Sequence, residues 1–156
     1  IKNKYNYLIM INLEIDYREK KLIEQFENNK KNNQNYIISN LDIGDIIIKY
    51  NEHITYIIER KTISDLCSSI LDGRYREQKE RLLSNFNTYQ IIYIIEGDYK
   101  TYKNPIPYKT VLSTIVNSNL RDNISVLYSK NINDTYDYIN LIAKKIEKKE
   151  LNISKF

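Results

Sequence analysis

The sequence lacks the side chains that several familiar chemistries require. One cysteine, Cys67, and one histidine, His53, provide neither an internal disulfide nor a zinc site of three or four nitrogen and sulfur ligands. Any metal bound here has to be held by oxygen. Uncharged apolar runs such as Ile91 to Ile95 are only a few residues long, whereas a membrane span needs about 20, so no transmembrane helix is expected. The start, Ile1-Lys2-Asn3, has neither an initiator Met nor a secretory apolar segment, which argues for a fragment or trimmed chain over an exported precursor. Trp is absent and Ala occurs once, in a chain crowded with Ile, Asn, Lys and Tyr, as AT-rich coding produces. The 15 tyrosines are therefore weak support for base stacking, and most read as core and surface filler.

What is present suffices for one folded unit. At 156 residues, against roughly 100 to 200 for an ordinary domain, a single domain over residues 1–156 is expected. Hydrophobic residues are 42% and charged residues 28%, too apolar for a chain disordered throughout. Lys and Arg exceed Asp and Glu by 24 to 20, a lean toward nucleic acid that says little until the charges are located.

No internal repeat or domain boundary is visible, and the polar patch Asn28 to Asn35 reads as a loop. Tyr7 to Asp16 predicts a strand, Arg18 to Asn29 a helix with Leu22, Ile23 and Phe26 inward, and Tyr36 to Ser39 a short strand. Asp45 to Tyr50 and Ile54 to Glu59 predict a hairpin around Asn51, Glu52 and His53. Two helices follow, one N-capped by Ser64 and ending near Leu71, the other running from Arg74 to Phe86 after Gly73. Gln90 to Glu96 encloses a continuous apolar run, as in a strand buried on both faces in mid-sheet. Beyond the turn-rich Gly97 to Pro107, Tyr108 to Asn119 predicts a helix with Val111, Leu112 and Ile115 inward. Ile124 to Tyr128 predicts a strand, and Asn133 to Glu150 a last helix with a basic end. The class is α/β, a central mixed β-sheet flanked by helices.

The hairpin brings acids together. A three-residue turn pairs Tyr50 with Ile54, and counting outward sets Asp45 opposite Glu59, with Cβ atoms about 4.5 to 5.5 Å apart on one face. Lys61 shares that face if the strand continues. Two carboxylates so close repel unless a cation lies between them, which suits a hard ion such as Mg²⁺. Such an ion lowers the pKa of a bound water and neutralises charge during phosphodiester hydrolysis. On geometry alone, a structural hairpin with a charged cross-strand network is the better reading, and a one-residue slip would send the two acids to opposite faces.

The wording of the sequence changes that balance. Gly44-Asp45 followed by Glu59-Arg60-Lys61-Thr62-Ile63-Ser64-Asp65 resembles the GD, spacer, ERKxxxD signature of the XPF-type structure-specific endonucleases. Ile15-Asp16-Tyr17-Arg18-Glu19 resembles their VDxRE segment, Ser68 to Arg74 with Gln78 their serine, DGR and glutamine stretch, and Tyr93 to Glu96 their YLIE strand. Asp65 to Leu82 is most like the Mus-type crossover-junction nuclease, and the two ends are more like the archaeal XPF-type enzymes. The motifs occur in order from about Tyr7 to Lys148.

The resemblance implies a restriction-endonuclease-like α/β core and a set of roles. Asp45, Glu59 and the Arg60 backbone carbonyl would be metal ligands, and Asp16 would hold the metal or its waters. Lys61 would be the catalytic lysine, and Arg60 and Asp65 charged groups shaping the active site. Glu19 would act behind these or at a second metal. Arg18, Arg74 and Gln78 would contact phosphate or support the site, Arg74 and Gln78 being four apart on one helix face. The metal would be Mg²⁺, with Mn²⁺ able to substitute.

Duller roles compete. Asp65 could only favour its helix N-terminus, Arg18 and Glu19 could only pair locally, and Glu96 is as readily structural as catalytic. His53 reads as a turn residue, Cys67 as a small buried hydrophobe, and Lys144 to Lys149 as a solvated helix face.

The resemblance also implies a homodimer, or a heterodimer with a related nuclease-family subunit, through the two late helices. Leu141, Ile142 and Ile146 would supply an apolar face, unless they pack on the chain's own sheet. The helix-hairpin-helix motifs usual in relatives are absent from the sequence. The expectation is a divalent-metal-dependent endonuclease cutting branched DNA (flaps, forks, Holliday-like junctions) in repair and recombination. It would work in the nucleus or another intracellular site of DNA replication and repair. The rivals are a non-catalytic DNA-binding or partner-binding subunit and a nuclease of the same fold without branch preference.

Overall fold

The computed structural model describes residues 10–101, 103 and 106–151. Its elements are β1 (Ile11–Asp16), α1 (Lys20–Asn28), β2 (Asn35–Ser39), β3 (Ile46–Tyr50), β4 (His53–Thr62), α2 (Ile63–Leu71), α3 (Arg74–Asn85), β5 (Ile91–Glu96), α4 (Tyr108–Val116), β6 (Ser125–Ser129) and α5 (Ile132–Glu147). The expected strand residues 7–9 and turn residues 102, 104 and 105 lie outside the described residues.

The six strands form one mixed sheet in the order β2-β1-β3-β4-β5-β6. Only β3 runs antiparallel to its neighbours. The C-terminal ends of β1, β4 and β5 therefore share an edge with the start of β3, which gathers side chains from distant sequence positions. Strand β5 lies between β4 and β6 with all six residues buried, as its continuous apolar run predicts.

Alternation along the strands divides the core. One face takes Ile47, Ile57, Ile91, Tyr93 and Ile95 and packs on Leu66, Leu82 and Val111 of α2, α3 and α4. The other takes Leu13, Ile15, Ile46, Ile48, Ile58, Ile92 and Ile94 and packs on Leu22 and Phe26 of α1 and Ile139, Ala143 and Ile146 of α5. Apolar contact on both faces is what makes the sheet a stable centre.

The β3–β4 hairpin differs from the expected one in two places that cancel. Its turn has two residues, Asn51 and Glu52, both with positive φ (47° and 70°), and Tyr50 pairs with His53. A bulge between Ile48 and Lys49 then leaves Thr55 unmatched, because Lys49 pairs with Ile54 and Ile48 with Tyr56. Beyond it Ile47 pairs with Ile57 and Ile46 with Ile58, and one further step sets Asp45 opposite Glu59.

Other boundaries shift for local reasons. Strand β4 continues through Thr62, whose hydroxyl accepts from the Asp65 amide at 3.1 Å, so Thr62 and not Ser64 caps α2. Leu112, expected inward, is exposed. With Val116 and Leu120 it forms an outward row where α4 runs into a π-helical turn at Asn117–Arg121. On α5, Ile146 is fully buried and Ile142 packs against the chain's own core, so neither is free for a partner, whereas Leu141 is exposed. Among the described residues no helix is long and apolar enough to cross a membrane.

Candidate active site

At the shared sheet edge lies an open cleft of about 260 Å³, lined by Asp16, Arg18, Asp45 and Glu59 from the strand ends and by Gln78 and Arg81 from α3. Gly44 also lines it. Its φ of +76° lies in the left-handed region, and a Cβ there would stand 2.6 Å from Ile57 Cγ1, so only glycine fits this approach of the chain to β4. The turn delivers Asp45 between two strands. The Asp45 amide donates to the Ile58 carbonyl at 2.9 Å, and the Asp45 carbonyl accepts from the Asp16 amide at 2.9 Å.

Asp45 Oδ2 accepts the Arg60 amide at 2.8 Å, the place in a strand pair usually taken by a backbone carbonyl. A strand residue's N–H and C=O point toward the same neighbour. The Arg60 carbonyl therefore also faces the β3 side, past the point where β3 begins.

Alternation sends Glu59 and Lys61 to the cleft face and the Arg60 side chain to the opposite face. Both acids are pushed toward the protonated form. For Asp45 the causes are burial, then the charges of Glu59 and Glu19, against the Arg60 amide and the Lys61 charge. For Glu59 they are burial and the Glu19 charge, opposed by Lys61, Arg18 and Arg81. Among the described residues neither acid has a cation within ion-pair distance. Lys61 is buried, with Nζ 3.4 Å from Ser69 Oγ, and acts on both acids through its charge.

The remaining expected site residues divide. Asp16 lines the cleft, but its oxygens are engaged, Oδ1 by the Leu41 amide at 3.0 Å and Oδ2 by Arg18 Nε at 2.6 Å. These bonds hold its carboxyl below the usual range despite burial. Among the described residues no three acidic, histidine or cysteine side chains stand together as a group that could hold a metal ion. The Arg60 guanidinium, expected among the charged groups shaping the active site, is turned elsewhere. It lies between Glu19 (2.9 Å) and Glu96 (2.6 Å and 3.0 Å), away from the cleft. Glu96 also accepts from Thr135, which supports its structural reading. Glu19 is thus held by Arg60, although its charge still reaches Asp45 and Glu59.

Asp65 is exposed in the first turn of α2 and does not line the cleft. Arg74 bonds to Asp72 at 2.7 Å and stays outside the cleft, because α3 starts at Arg74 and its guanidinium turns back to the preceding turn. Gln78 does line it, and its Oε1 is buried without a hydrogen-bond partner among the described residues. Sequence reasoning missed Arg81, which lines the cleft, donates to the Asp42 carbonyl at 3.2 Å and opposes the rise in the pKa of Glu59. The signal was available: positions 78 and 81 share a helix face.

A six-stranded mixed sheet with helices on both faces and an acidic cleft at its strand ends is the architecture of a restriction-endonuclease-like nuclease domain. XPF from Aeropyrum pernix has the same fold: TM-score 0.67 at 25% identity over 85% of this chain and 60% of that one. Its structure in complex with DNA gives TM-score 0.69 at 24% identity, covering 90% and 67%. The ERCC4 domain model matches residues 15–142, and the chain belongs to the ERCC4-domain family of XPF and Mus type. A probable crossover junction endonuclease mus81 of Dictyostelium discoideum is 33% identical over 88% of this chain and 18% of its own length. The mouse structure-specific endonuclease subunit MUS81 is 34% identical over 61% of this chain and 17% of its own length. The chain thus spans about a fifth of the curated relatives it matches.

Proposed function

We propose that this chain is the nuclease domain of a divalent-metal-dependent, structure-specific DNA endonuclease that hydrolyses a phosphodiester near a branch, such as a flap, fork or Holliday-like junction. The carrying observation is the Asp45–Glu59 pair: two carboxylates driven toward protonation by burial and acidic neighbours, without an ion-paired cation among the described residues, in an open cleft. A structural pair would be relieved by an arginine, as Glu19 and Glu96 are by Arg60. The Dictyostelium and mouse relatives, both endonucleases by name, and the XPF complex with DNA support the same reading.

The donor set fits a hard ion, since Mg²⁺ takes one or two carboxylates and completes its shell with water and phosphate oxygens. Asp45, Glu59 and the Arg60 carbonyl would hold it. Bound there, Mg²⁺, or Mn²⁺ in its place, supplies a water of lowered pKa and neutralises charge developing on the phosphate. Lys61 would stabilise negative charge at the reacting phosphate from its seat beside Ser69. Arg18, Gln78 and Arg81 would contact the DNA backbone, with Asp16 fixing the orientation of Arg18. Asp65 and Arg74, outside the cleft, would serve α2 and the turn before α3. Such an activity belongs at a site of DNA replication and repair, the nucleus in a eukaryotic cell.

The direct test is cleavage of labelled flap, fork and linear duplex by the full chain in Mg²⁺, Mn²⁺ and EDTA. Cutting of the branched substrates only with metal is expected. Cutting that survives EDTA sinks the metal dependence, and equal cutting of linear duplex sinks the branch preference. Branch binding without cutting in either metal identifies a non-catalytic subunit instead.

A second subunit of the same family is proposed on the outward row Leu112, Val116 and Leu120, three apolar residues at four-residue spacing that are 42%, 53% and 78% exposed. For the homodimer form, sedimentation is expected to show self-association that Leu112→Glu with Val116→Glu abolishes. A monomer whose sedimentation those changes leave untouched rejects that form.

A further inference from the structure

Among the described residues Tyr93 is the largest fully buried side chain, at 0% exposure, and its hydroxyl has no hydrogen-bond partner there. Leaving a buried hydroxyl unpaired is costly, and phenylalanine would fill the same space without the cost. The ring packs 5.6 Å from that of Tyr75, whose own hydroxyl is bonded to Ser118 at 2.8 Å, so the neighbouring tyrosine is satisfied. Burial of a hydroxyl for packing alone does not account for Tyr93.

Its location does. In the parallel β4–β5 register Tyr93 is the partner of Glu59, on the cleft face of the sheet. Burial is the main cause raising the phenol's pKa, and the charges of Tyr75, Glu59 and Asp45 add to it, so the hydroxyl lies within electrostatic reach of both acids. A phenol remains a donor at any pH where the acids are ionised. Groups that ligate metals are commonly oriented by a hydrogen bond from behind, and loss of that bond weakens metal binding about 10- to 100-fold.

We propose that Tyr93 is a positioning residue of the acid pair, its hydroxyl donating a hydrogen bond to the Glu59 carboxylate when a divalent ion is held, so that the carboxylate keeps its ligating orientation. The inference rests on the metal-dependent reading above. It assigns Tyr93 no contact with substrate.

The test is Tyr93→Phe, with Mn²⁺ and Mg²⁺ affinity measured by calorimetry in the absence of DNA and thermal unfolding measured without metal. The metal-free variant is expected to be at least as stable as the parent, because an unpaired buried hydroxyl has been removed. Its affinity for either ion is expected to fall roughly tenfold or more. Parent-like affinity in the variant overturns the role of Tyr93 and leaves the metal site standing. A drop in metal-free stability also overturns it, since the hydroxyl would then serve packing. Failure of the parent chain to bind either ion at millimolar concentration overturns the metal-dependent reading, and this inference with it.

Discussion

Asp45→Asn is expected to abolish cleavage while making the metal-free protein more stable near neutral pH. The two effects have one origin. Asp45 is raised to about 8 by burial first, then by the charges of Glu59 and Glu19. In the folded state its carboxyl therefore binds a proton more tightly than in the unfolded chain, where release occurs near 4. The stability linked to that proton is fully present below the unfolded value and lost as pH rises through the folded one. The loss sets in above the unfolded value and is nearly complete at the folded one, so at pH 7.5 to 8 the parent carries most of the penalty, and an amide does not. Each tenfold change in proton affinity corresponds to about 1.4 kcal/mol, so a gain of order 1 kcal/mol or more is expected at that pH, shrinking toward zero near pH 4.

The amide keeps an oxygen to accept the Arg60 N–H, so the local fold is retained. Mg²⁺ should raise the unfolding temperature of the parent and leave that of the variant unchanged, since ligand binding stabilises only the form that binds. Cleavage should fall by about two orders of magnitude or more, because a ligand and not only its support is lost. Unfolding monitored by circular dichroism across pH, with and without Mg²⁺, beside a cleavage assay, checks each part. A variant that is less stable at pH 8, or that still cuts at the parent rate, contradicts the strained ion-holding pair.

The meeting of these acids was legible in the sequence, although by a route the chain does not follow. A three-residue turn and the observed two-residue turn with a bulge give the same register beyond Ile47, because the bulge at Thr55 restores the residue that the shorter turn omits. Alternation alone identifies β-strands here but does not locate a bulge, since apolar residues flank Thr55 on both sides, Ile54 before it and Tyr56 to Ile58 after it. Buried strand β5 was legible for the opposite reason: six consecutive apolar or acid-capped positions leave no polar face for solvent. Leu112 misleads because a helix of mixed apolar content presents two faces, and only packing on Val111 decides which turns inward.

Motif wording carried the cleft's membership less evenly. It grouped Glu59, Arg60 and Lys61 as one set, whereas the strand's alternation separates the middle residue from its neighbours. Arg74 and Gln78 likewise share a helix face, but Arg74 at the first position of α3 is captured by Asp72 in the turn before it. Arg81, one turn further on, does reach the cleft. Where a helix begins relative to a turn is a tertiary fact, and that fact selected Arg81.

The Arg60 side chain gives the second large effect, and of a different kind. Its guanidinium joins α1 to the sheet through Glu19 and joins β4 to β5 through Glu96, with Arg60 12% exposed and the two acids 13% and 10% exposed. Arg60→Ala would leave two buried carboxylates facing each other without a cation, a change that typically costs about 3 to 5 kcal/mol. Glu96, which the Arg60 and Thr135 bonds hold below its usual range against burial, would lose most of that depression. A lowered carboxylate gives stability that is present above its unfolded value and lost as pH falls through the folded one, so the variant should lack the parent's resistance at acid pH. Arg60→Lys keeps the charge but not the fork that reaches both acids, and should fall between the two. The tyrosines provide the fluorescence signal for urea unfolding. Cleavage by the folded fraction, measured well below the midpoint, is expected to stay within about tenfold of the parent, because the guanidinium lies across the sheet from the cleft and the Arg60 amide and carbonyl are unchanged. Abolished cleavage in a fully folded Arg60→Ala protein would instead put the guanidinium in contact with DNA, and the separation of the two faces of β4 would have to be abandoned.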